Sequence, residues 1–94
     1  LADASPAADV RPILEKYAAA DSRIRVEFLA ENRGIAGNTN AALALATGEY
    51  VGFADHDDTL APFALHEVVA AINADPTADF LYSDEDKLDP SGER

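Results

Sequence analysis

Three carboxylates and a histidine stand together at Asp55-His56-Asp57-Asp58, directly after the apolar run Tyr50-Val51-Gly52-Phe53-Ala54. Asp55 and Asp57, one residue apart in an extended segment, can turn their oxygens toward one cation. Hard divalent ions such as Mg²⁺ or Mn²⁺ take one or two carboxylates and complete their shell with phosphate and water oxygens. An ion held in that way would neutralise a diphosphate and stabilise it as a leaving group. The competing reading makes these aspartates caps for a helix starting near Pro62. His56, between the carboxylates, is a candidate ligand or hydrogen-bond donor, though a residue in that slot more often points away from its neighbours, and His66 reads as a surface residue.

A second group, Asn32-Arg33-Gly34 with Gly37 and Asn40, places small residues and a cation where a strand meets a helix. Helix N-termini favour anions through their free N–H groups, and Arg33 can pair with phosphate. The plainer alternative is an ordinary turn followed by tight helix packing.

The elements that must carry these groups follow from periodicity. Val10, Ile13, Leu14 and Tyr17 form one apolar stripe, which predicts a helix over about Ala7–Ala20. Ile24, Val26 and Phe28 alternate with charged residues and predict a strand. Ile35–Thr47 is rich in Ala and Leu and predicts a second helix, with Gly48 in the position after its end. Tyr50–Ala54 reads as a buried strand. Pro62 suits a first helical turn, Leu65, Val68, Val69 and Ile72 repeat the helical stripe, and Asp75-Pro76 stops it. Phe80-Leu81-Tyr82 reads as a last short strand, and Asp89-Pro90-Ser91-Gly92 as a turn. Leu1-Ala2, too short to count alone, reads as the tail of a strand leading into Asp3-Ala4-Ser5-Pro6.

The resulting β-α-β-α-β-α-β order implies an α/β fold, a Rossmann-like and mostly parallel sheet with helices packed on it. Ligands of such sheets bind at the carboxyl ends of the strands. Asp3, Asn32–Gly34, Asp55–Asp58 and Asp84–Asp86 all fall there.

Composition narrows the classes. The 94 residues allow one domain, and 48% apolar content fits a globular chain. A formal charge of −11, from 18 acidic and 7 basic residues, disfavours nucleic acid and anionic lipid as partners. Without cysteine there is no disulfide, zinc-thiolate or thiol nucleophile, which fits a reducing, cytoplasmic setting. No apolar stretch approaches the roughly 20 residues of a membrane span, and no signal peptide pattern is present. The missing initiator Met and the abrupt opening give the expectation of a piece of a longer protein.

The blocks Glu31–Asn40, Ala46-Thr47-Gly48-Glu49-Tyr50-Val51 and Asp55–Asp58 resemble the family 2 glycosyltransferases of the GT-A fold. Their pattern runs N-x-G-x-x-x-A-x-N, A-x-G-E-Y, then D-x-D-D. Asp3-Ala4-Ser5 is similar to the end of their D-D-x-S nucleotide motif, and Tyr82–Lys87 to a segment of bacterial members that build surface polysaccharides. The resemblance implies that Asp3 contacts the base or ribose and that Asp55 lies near the ribose and sugar. It implies that Asp57 holds the metal on the diphosphate with Asp58 as helper, and that Arg33 and Asn40 support the donor pocket. Ala2 and Asn38 depart from the pattern, standing where Asp and Ala are common. The family's first strand is missing, as is the acceptor half with its catalytic carboxylate. The expectation is therefore a donor-binding portion of an inverting enzyme, inactive alone. It would take a nucleotide-sugar and serve a saccharide or lipid-linked acceptor. The parent would work at the cytoplasmic side of a membrane, and the open sheet edge would invite a second copy.

Two other readings remain at this point. Asp55-His56-Asp57-Asp58-Thr59-Leu60 also fits the D-x-D-x-T-L motif of haloacid-dehalogenase-like phosphatases, with Asp55 as nucleophile. A non-catalytic interaction module on the same fold is the third.

Overall fold

The computed structural model describes residues 1–93. They form two compact units, Leu1–Phe53 and Ala54 onward, each taken by itself below.

The first unit contains β1 (Ala2–Asp3), α1 (Val10–Ala20), β2 (Glu27–Phe28) and α2 (Gly34–Leu43). β1 and β2 pair in parallel, Ala2 opposite Glu27 and Asp3 opposite Phe28. The Glu27 amide donates to the Leu1 carbonyl at 2.9 Å and the Leu29 amide to the Asp3 carbonyl at 2.7 Å. Leu1-Ala2, too short to count alone, is thus part of a strand because a partner is there to pair with it. Helix α1 starts at Val10, three residues later than the stripe suggests, and its Arg11 guanidinium stacks on the Phe28 ring of β2 at 4.2 Å. Helix α2 packs against β1, and its Ala41, 8% exposed, is the buried residue of the core.

The expected α/β class with a parallel sheet is present, in a sparer form than the periodicity suggests. The strand predicted over Ile24–Phe28 is reduced to its last two residues. Helix α2 ends at Leu43 rather than Thr47, because the Leu45 and Ala46 amides turn to carbonyls three residues back, at 3.0 Å each. Gly48 therefore lies beyond the helix, and it does not take the positive φ of a capping glycine.

The second unit contains α3 (Ala64–Ala74). Asp75 ends it: its amide bonds the Ala71 carbonyl at 3.0 Å, and its carboxylate takes the Thr77 amide and hydroxyl at 3.1 and 2.6 Å. Those bonds hold the Asp75 carboxyl below its ordinary range. The predicted turn at Asp89–Gly92 is also present. The Asp89 carboxylate accepts the Ser91 amide at 2.8 Å and the Glu93 amide at 3.0 Å, while Gly92 takes φ +86°.

Neither Tyr50–Ala54 nor Phe80–Tyr82 forms a strand. Apolar β-formers supply propensity, but a strand exists through its ladder, and these runs have no ladder bonds among the described residues. Phe53, Phe80 and Tyr82 are 76, 80 and 89% exposed. The predicted four-strand order becomes β-α-β-α-α.

Candidate functional site

The motif Asp3-Ala4-Ser5 folds as two linked side-chain turns. The Asp3 Oδ1 accepts the Ser5 amide at 3.0 Å, and the Ser5 Oγ accepts the Ala7 amide at 3.3 Å. Short polar side chains that bond the backbone two residues on are the usual chemistry of such turns. Here they carry the chain off the carboxyl end of β1 toward α1 and commit one Asp3 oxygen to the backbone.

Beside this turn lies a cavity of 350 Å³, lined by Asp3, Ser5, Pro6, Arg11, Phe28 and Leu29 among others. Asp3 and Phe28 are the last residues of the two parallel strands. The cavity therefore sits where open α/β sheets place ligands. Its walls offer a carboxylate, a hydroxyl, a guanidinium and an aromatic ring, a set suited to a polar, flat molecule.

Asn32-Arg33-Gly34 opens α2. The Asn32 Oδ1 accepts the Gly34 amide at 2.8 Å and the Asn38 Nδ2 at 3.0 Å. The Asn38 Oδ1 accepts the Arg33 amide at 3.0 Å. Gly34 takes φ +76°, a backbone state that costs a side chain dearly. A Cβ on Gly37 would fall 2.5 Å from the Arg33 Cβ, so glycine there is a demand of packing. These bonds take up two of the first N–H groups of the helix start, those of Arg33 and Gly34. They also give the departure at Asn38 a structural role, since its carboxamide closes the turn. The Arg33 side chain is exposed. Asn40 is exposed on α2, and its backbone carbonyl accepts the Ala44 amide at 3.0 Å.

Asp55, Asp57 and Asp58 lie in the second unit, all exposed, on a turn closed by the Asp58 amide to the Asp55 carbonyl at 3.2 Å. No side chain caps α3, so the capping alternative for these aspartates is not realised. Among the described residues no group of three His, Cys, Asp or Glu side chains converges as a metal cage. Of the residues singled out in the sequence, then, Asp3 lines a cavity, Arg33 and Asn40 sit on α2, and the three aspartates share one turn.

Sequence reasoning passed over Arg11 and Phe28. Both were legible in part: Phe28 ends an alternating strand, and Arg11 and Glu15 hold i,i+4 spacing, which the structure shows as an ion pair at 3.0 Å.

Comparisons with known proteins bear on the family. The chain is 42% identical over 92 residues to an uncharacterized protein, y4gI, of Sinorhizobium fredii, covering 98% of this chain and 10% of that protein. It is 44% identical over 92 residues to the O-antigen biosynthesis protein RfbC of Myxococcus xanthus, covering 98% of this chain and 7% of that one. A putative teichuronic acid biosynthesis glycosyltransferase, TuaG, of Bacillus subtilis matches 51% of the chain at 50% identity and is covered over 19% of its own length. The chain thus spans a tenth or less of the first two relatives. No solved structure matches it. Residues 1–89 match the profile of glycosyl transferase family 2, not that of a phosphatase family. The chain belongs to glycosyl transferase family 2.

Proposed function

We propose that this chain is the donor-binding portion of an inverting glycosyltransferase that acts in bacterial surface-polysaccharide synthesis. The observation that supports it most is the Asp3 cavity at the carboxyl ends of β1 and β2, in a chain matched along residues 1–89 by a glycosyltransferase family.

In this reading the nucleoside of the sugar donor enters the Asp3 cavity, and the Asp3 oxygen not engaged by Ser5 accepts a hydrogen bond from it. Arg33 pairs with a phosphate oxygen, a charge-assisted contact. Asn40 supports the donor pocket, and Asp55 meets the ribose and sugar. The aspartate turn fits a hard divalent ion, because its donors are all carboxylate oxygens and all exposed. Asp57, with Asp58, would hold Mg²⁺ or Mn²⁺. Bound there, the ion supplies positive charge that offsets the leaving diphosphate. Attack by an acceptor hydroxyl needs a carboxylate base, and no residue of this stretch is assigned that task. The chain alone is therefore expected to bind a donor without turning it over. The acceptor would be a saccharide or lipid-linked chain. No helix among the described residues is long and apolar enough to cross a membrane.

Calorimetry tests the reading. Mn²⁺ with UDP or GDP is titrated into the chain and into Asp57→Ala and Asp3→Ala variants. Metal-dependent binding should vanish in Asp57→Ala, and nucleotide affinity should fall in Asp3→Ala with or without metal. Undiminished binding by Asp57→Ala would remove the aspartate turn from the site.

A further inference from the structure

The Asp3 cavity holds a second charged group of opposite sign. Arg11, from the first turn of α1, lines the same wall as Asp3 and Phe28. Its guanidinium lies 4.2 Å from the Phe28 ring centroid, and its Nε donates to the Glu15 Oε1 at 3.0 Å. The Phe28 ring and the Glu15 carboxylate thus contact the guanidinium from two sides. Because Arg11 covers the Phe28 ring, the flat surface offered to a ligand there is the guanidinium.

We propose that Arg11 is a nucleobase-binding residue, its Phe28-braced guanidinium forming the platform and donor edge against which the base of the donor lies; this rests on the donor-binding reading of the same cavity. The nucleoside, not the diphosphate, is the matching part of the ligand. Asp3 lines the cavity with a carboxylate, which repels phosphate, whereas a base carries N–H groups for Asp3 and ring nitrogens or carbonyls for the remaining Arg11 N–H groups. Bases stack on arginine planes as they do on aromatic rings.

The test separates base from phosphate. UDP, GDP, CDP and ADP, each with Mn²⁺, are titrated into the chain by calorimetry, and the free nucleoside of the tightest binder is followed by NMR. Arg11→Ala and Arg11→Lys should each weaken both ligands by about the same factor, on the order of tenfold. Lysine keeps the charge and loses the plane, so it should not rescue. Arg11 is exposed on α1, and an unchanged melting temperature shows that the variants fold. Affinities unaltered by either substitution overturn the proposal. So does a loss confined to the diphosphate, or full rescue by lysine, since each makes Arg11 a phosphate partner or a bystander. If the unaltered chain binds no nucleotide, the donor-binding reading itself falls, and this assignment with it.

Discussion

The two units answer the same kind of sequence signal in opposite ways. In Leu1–Phe53, a two-residue strand exists because another lies beside it, and two turns are closed by side chains: Asp3 and Ser5 after β1, Asn32 and Asn38 before α2. From Ala54 onward, the apolar run Phe80–Tyr82 remains without a ladder, as Tyr50–Ala54 does where the first unit ends, and α3 has turns built by Asp75 and Asp89 for company. Strand propensity is conditional on a neighbour, whereas a capped turn is complete within a few residues. The part of the molecule with chemistry at the ends of strands is the part where both conditions are met.

Backbone hydrogen exchange should expose this contrast most sharply. The Glu27 and Leu29 amides, bonded across the sheet, are expected to exchange orders of magnitude more slowly than amides of Val51–Ala54 and Phe80–Tyr82. Equal rates in the two regions would break the distinction. Next in size is Gly37→Ala. Alanine ordinarily favours a helix by about 1 kcal/mol, but here its methyl meets Arg33. The clash should win and cost about 1–3 kcal/mol in a denaturation experiment. Asn38→Ala should be milder, about 1 kcal/mol, through loss of the cap on the Arg33 amide, even though alanine is common there in the family pattern.

The smallest effect concerns pH. Hydrogen bonds from Arg23 hold the Asp21 carboxyl down to about 2 from an ordinary 3.8. A carboxyl depressed in the folded state stabilises above its unfolded value and loses that contribution as pH falls through the folded one. The window is therefore about 4 down to 2. Both groups face solvent, so the change in stability should be slight. An NMR titration should nonetheless show Asp21 moving up toward 3.8 in Arg23→Ala.

How much of this was legible beforehand divides along the same line. Two apolar stripes and one Ala- and Leu-rich run located three helices to within a few residues, because a helix satisfies its own backbone. The class and the placement of Asp3 followed from alternation. The strands at 50–54 and 80–82 did not survive, since nothing local says whether a ladder partner is present. Arg11 escaped notice because its meaning depends on Phe28, 17 positions away in sequence, lying under it. The closing bonds of Asn38 were equally invisible to a reading that compared it only with the alanine common at that position.

The linked turns after β1 have a consequence for how the pocket could be retuned. With one Asp3 oxygen spent on the Ser5 amide, the residue meets a ligand as a single acceptor of fixed direction. Asparagine at that position could keep its oxygen on Ser5 and present its amino group instead. Asp3→Asn would then preserve the bend in the chain while inverting the polarity shown to a guest. A pocket wall can be reversed in this way without being rebuilt, because architecture and recognition are divided between the two oxygens of one carboxylate.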